Sequence, residues 1–301
     1  MSDNTLTAFS DQLADVIAAA APAVVQVRGR RRPASGIVFA EDAVLTTGRA
    51  LGGENGVSVQ AADGRHLDAE PVGWDLSTHL VVLRVPGLDT PAATPADGPA
   101  RVGHLVVAIG RSWSNAVTAT LGNVAIIGGP LPTGRGRTIR EVIRTTAPMH
   151  GGFTGGGLVD TLGHVVGVTT AAEIRGLRVA IPASIAWTVG REILERGHVK
   201  RGYLGLAGQR VQLGVRQREA GGPDTGLLVL AVTPDSPADQ AGLFVGDIVA
   251  SLDGIEIDST DRLLEALTGD RVGRTVTIGI VRGGDPSHLS VTVGERPQPS
   301  P

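Results

Sequence analysis

TPDSPADQAGLFVGDIVASLDGIEI, residues 233–257, is the stretch of this sequence that most constrains its fold. Ser236 stands directly before Pro237, and a hydroxyl N-cap followed by proline is typical of a helix start. Gly242 is placed to end that short helix, and Gly246–Asp247 is typical of a turn into a strand. The stretch therefore predicts a short helix between two strands, within a small α+β module.

The segments on either side extend this module over residues 200–296. Residues 259–268 predict a second helix, and apolar strand-like runs flank both helices. The module resembles a PDZ domain of the HtrA arrangement, in which a peptide binds as an added strand between a sheet edge and a helix. The resemblance assigns the carboxylate-binding loop to four residues, Tyr203, Leu204, Gly205 and Leu206. Gly205 is expected to let backbone N–H groups approach a terminal carboxylate closely.

Upstream of the module, short apolar runs alternate with turns, as the 43 glycines and 18 prolines suggest. Six strand candidates come first, at 23–29, 35–40, 43–47, 57–62, 66–74 and 80–85. A Pro-, Ala- and Asp-rich connection, 87–103, precedes six more, at 105–111, 118–128, 141–146, 157–161, 164–171 and 177–182. Two such sets predict two small antiparallel barrels at about 23–86 and 103–182, and a sandwich has the same pattern.

Three further segments complete the predicted organisation. A helix at 9–20 lies within an N-terminal segment, residues 1–22, and a helix with a glycine stop at Gly197 links the domains over 183–199. The tail, 297–301, is expected to be disordered.

The region before the module resembles the trypsin-like protease domain of the HtrA family. The runs that carry the resemblance include SGIVFAEDAVLTT, WDLSTHLVVLRV and TTAPMHGGFTGGGLVD. With the PDZ domain, the resemblance covers about residues 9–295. It implies a mainly β protein of DegP-like type, a trypsin-like double β-barrel over 23–185 followed by an α+β PDZ domain over 200–296.

The motifs that hold the family's catalytic triad are substituted at all three positions. LTTGRA has Arg49 where the family has histidine, DLSTHLVVL has His79 where it has aspartate, and GFTGGGL has Thr154 where it has serine. Arginine stays protonated and cannot serve as a base, so a degenerate triad and an inactive protease are expected. The resemblance assigns a vestigial oxyanion hole to the backbone N–H groups of Gly152 and Thr154, and a collapsed loop is the favoured alternative.

Two other functions stay open at this point. In one, Thr154 is the nucleophile of an active endopeptidase with a rewired site, and His79 or His150 is its base. In the other, the chain is a structural subunit of a hetero-oligomer with an active paralogue. The leading expectation is a protein of quality control, an adaptor or chaperone that binds peptides or C-termini of unfolded or partner proteins through its PDZ domain.

Composition limits the remaining possibilities. The net charge of −3 disfavours nucleic-acid binding, and the absence of cysteine excludes disulfides and thiolate metal sites. The seven histidines are scattered, so no metal or cofactor is expected. The N-terminus has no basic region followed by an apolar run, and no segment suits a membrane span, so a cytoplasmic location is expected. The family also forms homotrimers, often through N-terminal aromatics, of which this chain has only Phe9.

Overall fold

The computed structural model describes residues 4–29, 33–51, 56–134, 137–170, 178–214, 224–267 and 271–296. The chain divides into two compact units, the larger built from residues up to Val199 and the smaller including the residues from Lys200 onward. The tail at 297–301 lies outside the described residues. Within the described ranges, no helix is long and apolar enough to cross a membrane.

The larger unit begins with helix α1 (Thr5–Ala20), which ends in a 3-10 turn at Ala21–Ala23. It starts four residues before the predicted position of 9–20. Leu13, Val16 and Ile17 lie against the core of the unit, as their helical spacing predicts, although no residue of α1 is fully buried.

The first set of strands contains seven members. They are β1 (Val24–Arg28), β2 (Ala34–Ala40), β3 (Ala43–Thr47), β4 (Ser58–Gln60), β5 (His66–Asp68), β6 (Glu70–Trp74) and β7 (Leu80–Arg84). They form one antiparallel sheet in the order β5-β4-β1-β2-β3-β7-β6. The candidate strand at 66–74 is two strands, because the N–H of Ala69 between them bonds to the carbonyl of Val57. A short helix, α2 (Gly48–Leu51), follows β3.

The central strands of this sheet are apolar on both faces. Ile37 and Leu45 pack with Ile109 in a core that the two sets of strands share. Val38 and Val44 point the other way, into a second core within the first set. Strands buried on both faces read as continuous apolar runs, which is why their sequence lacks a polar–apolar alternation.

The second set of strands closes into a barrel of six. Its strands are β8 (Leu105–Arg111), β9 (Val117–Gly128), β12 (Val142–Thr145), β13 (Gly157–Val159), β14 (Val165–Thr169) and β15 (Val179–Pro182). They follow one another in the order β12-β15-β14-β13-β8-β9. A hairpin of β10 (Leu131–Gly134) and β11 (Arg137–Ile139) was not predicted, since its glycines and prolines are typical of a loop.

The connection at 87–103 is attached to both sets of strands. The N–H of Ala93 bonds to the carbonyl of Val38 at 2.8 Å, and the N–H of Ala96 bonds to that of Val165 at 2.9 Å. Pro95 also forms a parallel bridge with Val165. The segment is therefore an ordered part of the unit.

Helix α3 (Ala183–Arg196) closes the larger unit. Val189 and Ile193 are buried against the shared core, and Gly197 caps the helix in a left-handed conformation, with φ of 79°. Gly73 on β6 passes so close that a Cβ added there would lie 1.8 Å from the Gly197 carbonyl oxygen.

The smaller unit contains two short helices and eight strands among the described residues. These are β16 (Gly202–Tyr203), β17 (Leu206–Gln212), β18 (Thr225–Val232), α4 (Pro237–Gln240), β19 (Ile248–Leu252), β20 (Ile255–Glu256), α5 (Thr260–Ala266), β21 (Thr275–Arg282), β22 (Asp285–Thr292) and β23 (Gly294–Glu295). The main sheet runs β17-β18-β19-β21-β22, and β16 pairs with β23. Ser236 caps α4, as its position in the sequence predicts, and Ser259 caps α5 in the same way.

An ion pair fixes the turn that leads into β19. Asp247 is 2% exposed, and its Oδ2 accepts hydrogen bonds from the Phe244 N–H at 2.8 Å and from Nη2 of Arg282 at 2.7 Å. The hydrogen-bonded Arg282 guanidinium, more than any other contact, holds the pKa of the Asp247 carboxyl below its ordinary value. The pair joins the turn to the end of β21.

Candidate functional site

The positions of Arg49 and His79 are brought side by side by the end of β3. The N–H of Gly48, the first residue of α2, donates to the carbonyl of His79 at 2.9 Å. Arg49 is the next residue of α2, and its side chain lies outside the described part of the chain. Since β3 pairs with β7 up to Thr47 and Leu80, the strands themselves set this approach.

A tight turn presents His79. The buried carboxylate of Asp75 accepts hydrogen bonds from the N–H and the Oγ1 of Thr78, both at 2.8 Å. His79 then closes the turn with a positive φ of 61°, and its N–H bonds to the Asp75 carbonyl at 2.8 Å. Asp75 thus organises this turn, a role that the sequence analysis did not assign.

The third position, Thr154, lies within a glycine-rich loop, residues 150–156, which we call the cleft loop. Its first residues form a 3-10 turn at Gly151–Phe153. Thr154 is 2% exposed, and its Oγ1 is buried without a hydrogen-bond partner among the described residues. An unpaired buried hydroxyl costs about 1–3 kcal/mol. In particular, no described histidine forms a hydrogen bond with it.

Both N–H groups expected to form an oxyanion hole are bonded inside the cleft loop. The N–H of Gly152 donates to Nδ1 of His150 at 3.1 Å, and that of Thr154 donates to the Gly151 carbonyl at 3.2 Å. The imidazole of His150 also stacks edge-on against Phe153, with 4.7 Å between ring centroids. An oxyanion hole needs N–H groups that are free to point at one oxygen, and these two are occupied.

Neutral side chains hold the cleft loop in this arrangement. Ser35 Oγ donates to the Gly152 carbonyl and accepts from the Arg111 N–H, each at 2.7 Å. The Ser35 N–H bonds to the carbonyl of Thr154 at 2.8 Å, and its own carbonyl accepts from Oγ1 of Thr46 at 2.7 Å. Since Thr46 lies on β3 just before α2, Ser35 ties the cleft loop to the strand that leads to Arg49.

Arg111 is a further anchor that sequence reasoning missed. Its guanidinium donates to the carbonyls of Ala21, Val24 and Asn115, at 2.8, 2.7 and 3.1 Å. Burial lowers the pKa of Arg111. No local motif marks the residue, because two of its three acceptors, Ala21 and Val24, lie 90 and 87 positions away along the chain.

In the smaller unit, the loop at Tyr203–Leu206, which we call the groove loop, has its carbonyls turned into the domain. The Leu204 carbonyl accepts from the Ala238 N–H at 2.8 Å, and that of Gly205 accepts from the Thr233 N–H at 2.7 Å. In a trans peptide the N–H points opposite to the carbonyl, so the N–H groups of Gly205 and Leu206 face away from the 233–238 segment.

Those N–H groups face a groove of about 310 Å³, whose lining includes no residue of 233–238. The groove lies between the groove loop and α5, and Leu206, Leu263, Leu264 and Leu267 contribute to its lining. The helix runs antiparallel to β17, because Gly202 N–H bonds to the Leu267 carbonyl at one end and Thr260 Oγ1 to the Gly208 carbonyl at the other, each at 3.2 Å.

The structure gives a further reason for glycine at position 205. Gly205 has a φ of 84°, and a Cβ there would lie 2.2 Å from Cβ of Ser236. The residue is thus required by its conformation and by its packing against the start of α4, on the side that faces the domain.

Comparison with known proteins agrees with both halves of this description. A trypsin-like peptidase domain profile matches residues 34–168, and a PDZ domain profile matches residues 211–293. The solved structure of the HtrA-type protease AlgW with tripeptide is 30% identical, with a TM-score of 0.76 over 95% of this chain and 98% of that one. This chain belongs to the HtrA-type protease family. The expected fold, a trypsin-like domain followed by a PDZ domain, is confirmed.

Relatives in sequence support the same family. The probable periplasmic serine endoprotease DegP-like of Halomonas elongata is 32% identical over 279 residues, which are 89% of this chain and 57% of the relative. The periplasmic pH-dependent serine endoprotease DegQ of Escherichia coli is 30% identical over 257 residues, 83% of this chain and 56% of the relative. The chain therefore spans a little over half the length of these relatives.

The names of these relatives overturn one expectation. The cytoplasmic location expected from the N-terminal residues is wrong, because the relatives that match most of this HtrA-family chain are periplasmic proteases. The composition of the first residues does not decide the compartment in which a member of this family folds.

Proposed function

We propose that this HtrA-family chain binds the C-terminal segments of other polypeptides in the groove of its PDZ domain and does not hydrolyse them. Its setting is the periplasm, like that of the relatives. Unfolded or cleaved proteins expose such termini, so this binding suits an adaptor or holdase of protein quality control.

The groove loop supports the binding half of the proposal. Two N–H groups face the groove at one end, and leucine side chains line it. This combination suits an extended peptide with an apolar last residue and a free carboxylate, added as a strand along β17. The solved relatives include the HtrA-type protease AlgW with tripeptide and with decapeptide, which supports peptide binding by this chain.

The cleft loop carries the other half of the proposal. Acyl transfer by this family needs a base beside a hydroxyl and two free N–H donors beside the scissile carbonyl. Here the hydroxyl of Thr154 is buried without a partner among the described residues, and both donors are bonded within the loop. The position of the family's histidine is Arg49, whose guanidinium stays protonated.

The arrangement of His150 weighs against an endopeptidase with a rewired site. To serve Thr154 as a base, the imidazole would have to offer a free ring nitrogen to the hydroxyl. Nδ1 of His150 instead accepts the Gly152 N–H, so that Nε2 carries the proton of the neutral ring and is a donor, not a base. The same bond ties the ring to one of the donors that a transition state would need.

The test measures hydrolysis and binding on the full-length chain. Incubation with unfolded casein is expected to release no peptides above the buffer control, and a fluorophosphonate probe is expected to leave the protein unlabelled. Calorimetry with a peptide ending in a free apolar residue is expected to give a dissociation constant of about 1–100 μM, because an extended ligand loses freedom on binding. Labelling that disappears in Thr154→Ala would contradict the first half, and the absence of any peptide binding would contradict the second.

A further inference from the structure

We propose that Arg296 is a specificity-determining residue of the groove, whose guanidinium pairs with the terminal carboxylate of the bound peptide. This inference rests on the proposed binding function and adds to it the residue that distinguishes a free C-terminal carboxylate from a neutral, modified one. The groove loop alone offers neutral N–H groups, whereas Arg296 adds a positive charge at the same end.

Backbone pairing fixes Arg296 beside the groove loop. Strand β16 pairs with β23, with Gly202 opposite Glu295 and Tyr203 opposite Gly294. The ladder continues by one bond, from the Arg296 N–H to the Arg201 carbonyl at 2.9 Å. Arg296 therefore follows the strand that borders the groove loop, and this exposed residue contributes to the lining of the groove.

The two ends of the groove carry opposite charges. Gly202, Leu267 and Arg296 lie at the end where the groove loop begins, since Gly202 bonds to Leu267 there. Thr260 and Asp261 line the opposite end, where α5 starts beside Gly208. A carboxylate is attracted to the first end and repelled from the second, so charge fixes the direction of the peptide as antiparallel to β17.

The guanidinium of Arg296 is available for a ligand. Among the described residues, no carboxylate lies within ion-pair distance of it, whereas four other arginines of the smaller unit are paired. Those pairs are Arg210–Asp258, Arg262–Glu265, Arg271–Asp253 and Arg282–Asp247. A planar guanidinium can donate two parallel hydrogen bonds to one carboxylate, which a lysine cannot do.

The test compares matched peptides on matched variants of the full-length chain. The probes are labelled hexapeptides ending in Val, Leu or Phe, each made as the free acid and as the amide, with affinity read by fluorescence anisotropy. In Arg296→Gln, affinity for the best free acid is expected to fall about fivefold, the value of one partly exposed charge pair, while affinity for its amide stays unchanged. Arg274→Gln removes the same charge from an exposed position that does not line the groove, and it is expected to bind both peptides as the parent does.

Each outcome separates the inference from the function on which it rests. If the parent binds free acids and Arg296→Gln retains the full preference for acid over amide, the role of Arg296 is refuted and the binding function stands. An equal loss for acid and amide would indicate a structural role and also overturn the inference. If no hexapeptide binds the parent chain, the proposed function itself fails. Arg296→Lys keeps the positive charge but lacks the planar guanidinium. It is expected to prefer the free acid over the amide more than Arg296→Gln does and less than the parent does.

Discussion

The cleft loop and the groove loop are both glycine-containing turns, yet they direct their N–H groups in opposite ways. In the cleft loop, Gly152 and Thr154 donate their N–H groups to partners inside the loop, His150 and Gly151. In the groove loop, it is the carbonyls that are engaged, and the N–H groups of Gly205 and Leu206 are left to face the groove. A backbone site for an anion therefore depends on what anchors the carbonyls, and glycine content alone does not create one.

The largest expected effect comes from freeing the donors of the cleft loop. The triple change Arg49→His, His79→Asp and Thr154→Ser restores the family's side chains but leaves the Gly152 N–H bonded to His150. Adding His150→Ala removes that acceptor, and we expect casein hydrolysis to rise by about 100-fold over the triple variant, the value of one oxyanion donor.

The matched control for this series carries Thr154→Ala in place of Thr154→Ser and is expected to show no casein hydrolysis. Equal activity of the triple and fourfold variants would show that the bond between His150 and Gly152 does not limit this cleft.

The second expected effect tests how tightly the groove loop packs against Ser236 at the start of α4. Gly205→Ala and Gly254→Ala both place a side chain at positive φ, but only at Gly205 does the new Cβ meet a neighbour, Ser236. We expect Gly205→Ala to lower the free energy of unfolding of the smaller unit by about 2 kcal/mol more than Gly254→Ala, because overpacking adds to the backbone strain. Calorimetry on the full chain measures the difference, and equal losses would refute the packing account.

The third prediction uses pH to separate the anchors of the two units. The smaller unit depends on the ionised pair of Asp247 and Arg282, whereas the cleft loop is held by the neutral hydroxyls of Ser35, Thr46 and Thr169. Because folding lowers the pKa of Asp247, its stabilising contribution is present above the ordinary aspartate pKa of about 3.9 and is lost as the pH falls through the lower folded value.

Asp247→Asn is therefore expected to lower the free energy of unfolding of the smaller unit by about 1 kcal/mol near pH 7, with a difference from the parent that shrinks below about pH 4. Ser35→Ala should destabilise the larger unit to a similar extent at both pH values. A pH-independent effect of Asp247→Asn, measured by calorimetry, would contradict the assignment.

The smallest expected effect concerns the far end of the groove. The bond from Thr260 Oγ1 to the Gly208 carbonyl occupies an acceptor that an added strand would use. Thr260→Val keeps the shape of the side chain and frees this carbonyl, so a hexapeptide should bind about threefold tighter, while a dipeptide, too short to reach Gly208, should bind as before. A gain that does not depend on peptide length would point to another cause.

Much of the fold could be predicted from local sequence because local signals specify it. The Ser236 cap, the Gly197 stop and the apolar strand runs each act within a few residues, and the elements formed where those signals lie. The hairpin of β10 and β11 was missed because its glycines and prolines resemble a loop, and the split at Ala69 depends on Val57, which lies on another segment.

The sequence by itself determined the family, the order of the two domains and the identity of the residues at the substituted positions. Only the tertiary structure decided whether the backbone N–H groups of the cleft loop and the groove loop are bonded or face a ligand site. Their directions depend on partners far along the chain. Ser35 holds the cleft loop from 117 positions away and is itself bonded to Arg111, which lies 76 positions from it along the chain. The groove loop is held by the N–H groups of Thr233 and Ala238, which lie on another segment. The direction of an N–H group follows from such non-local contacts, which a motif of glycines does not encode.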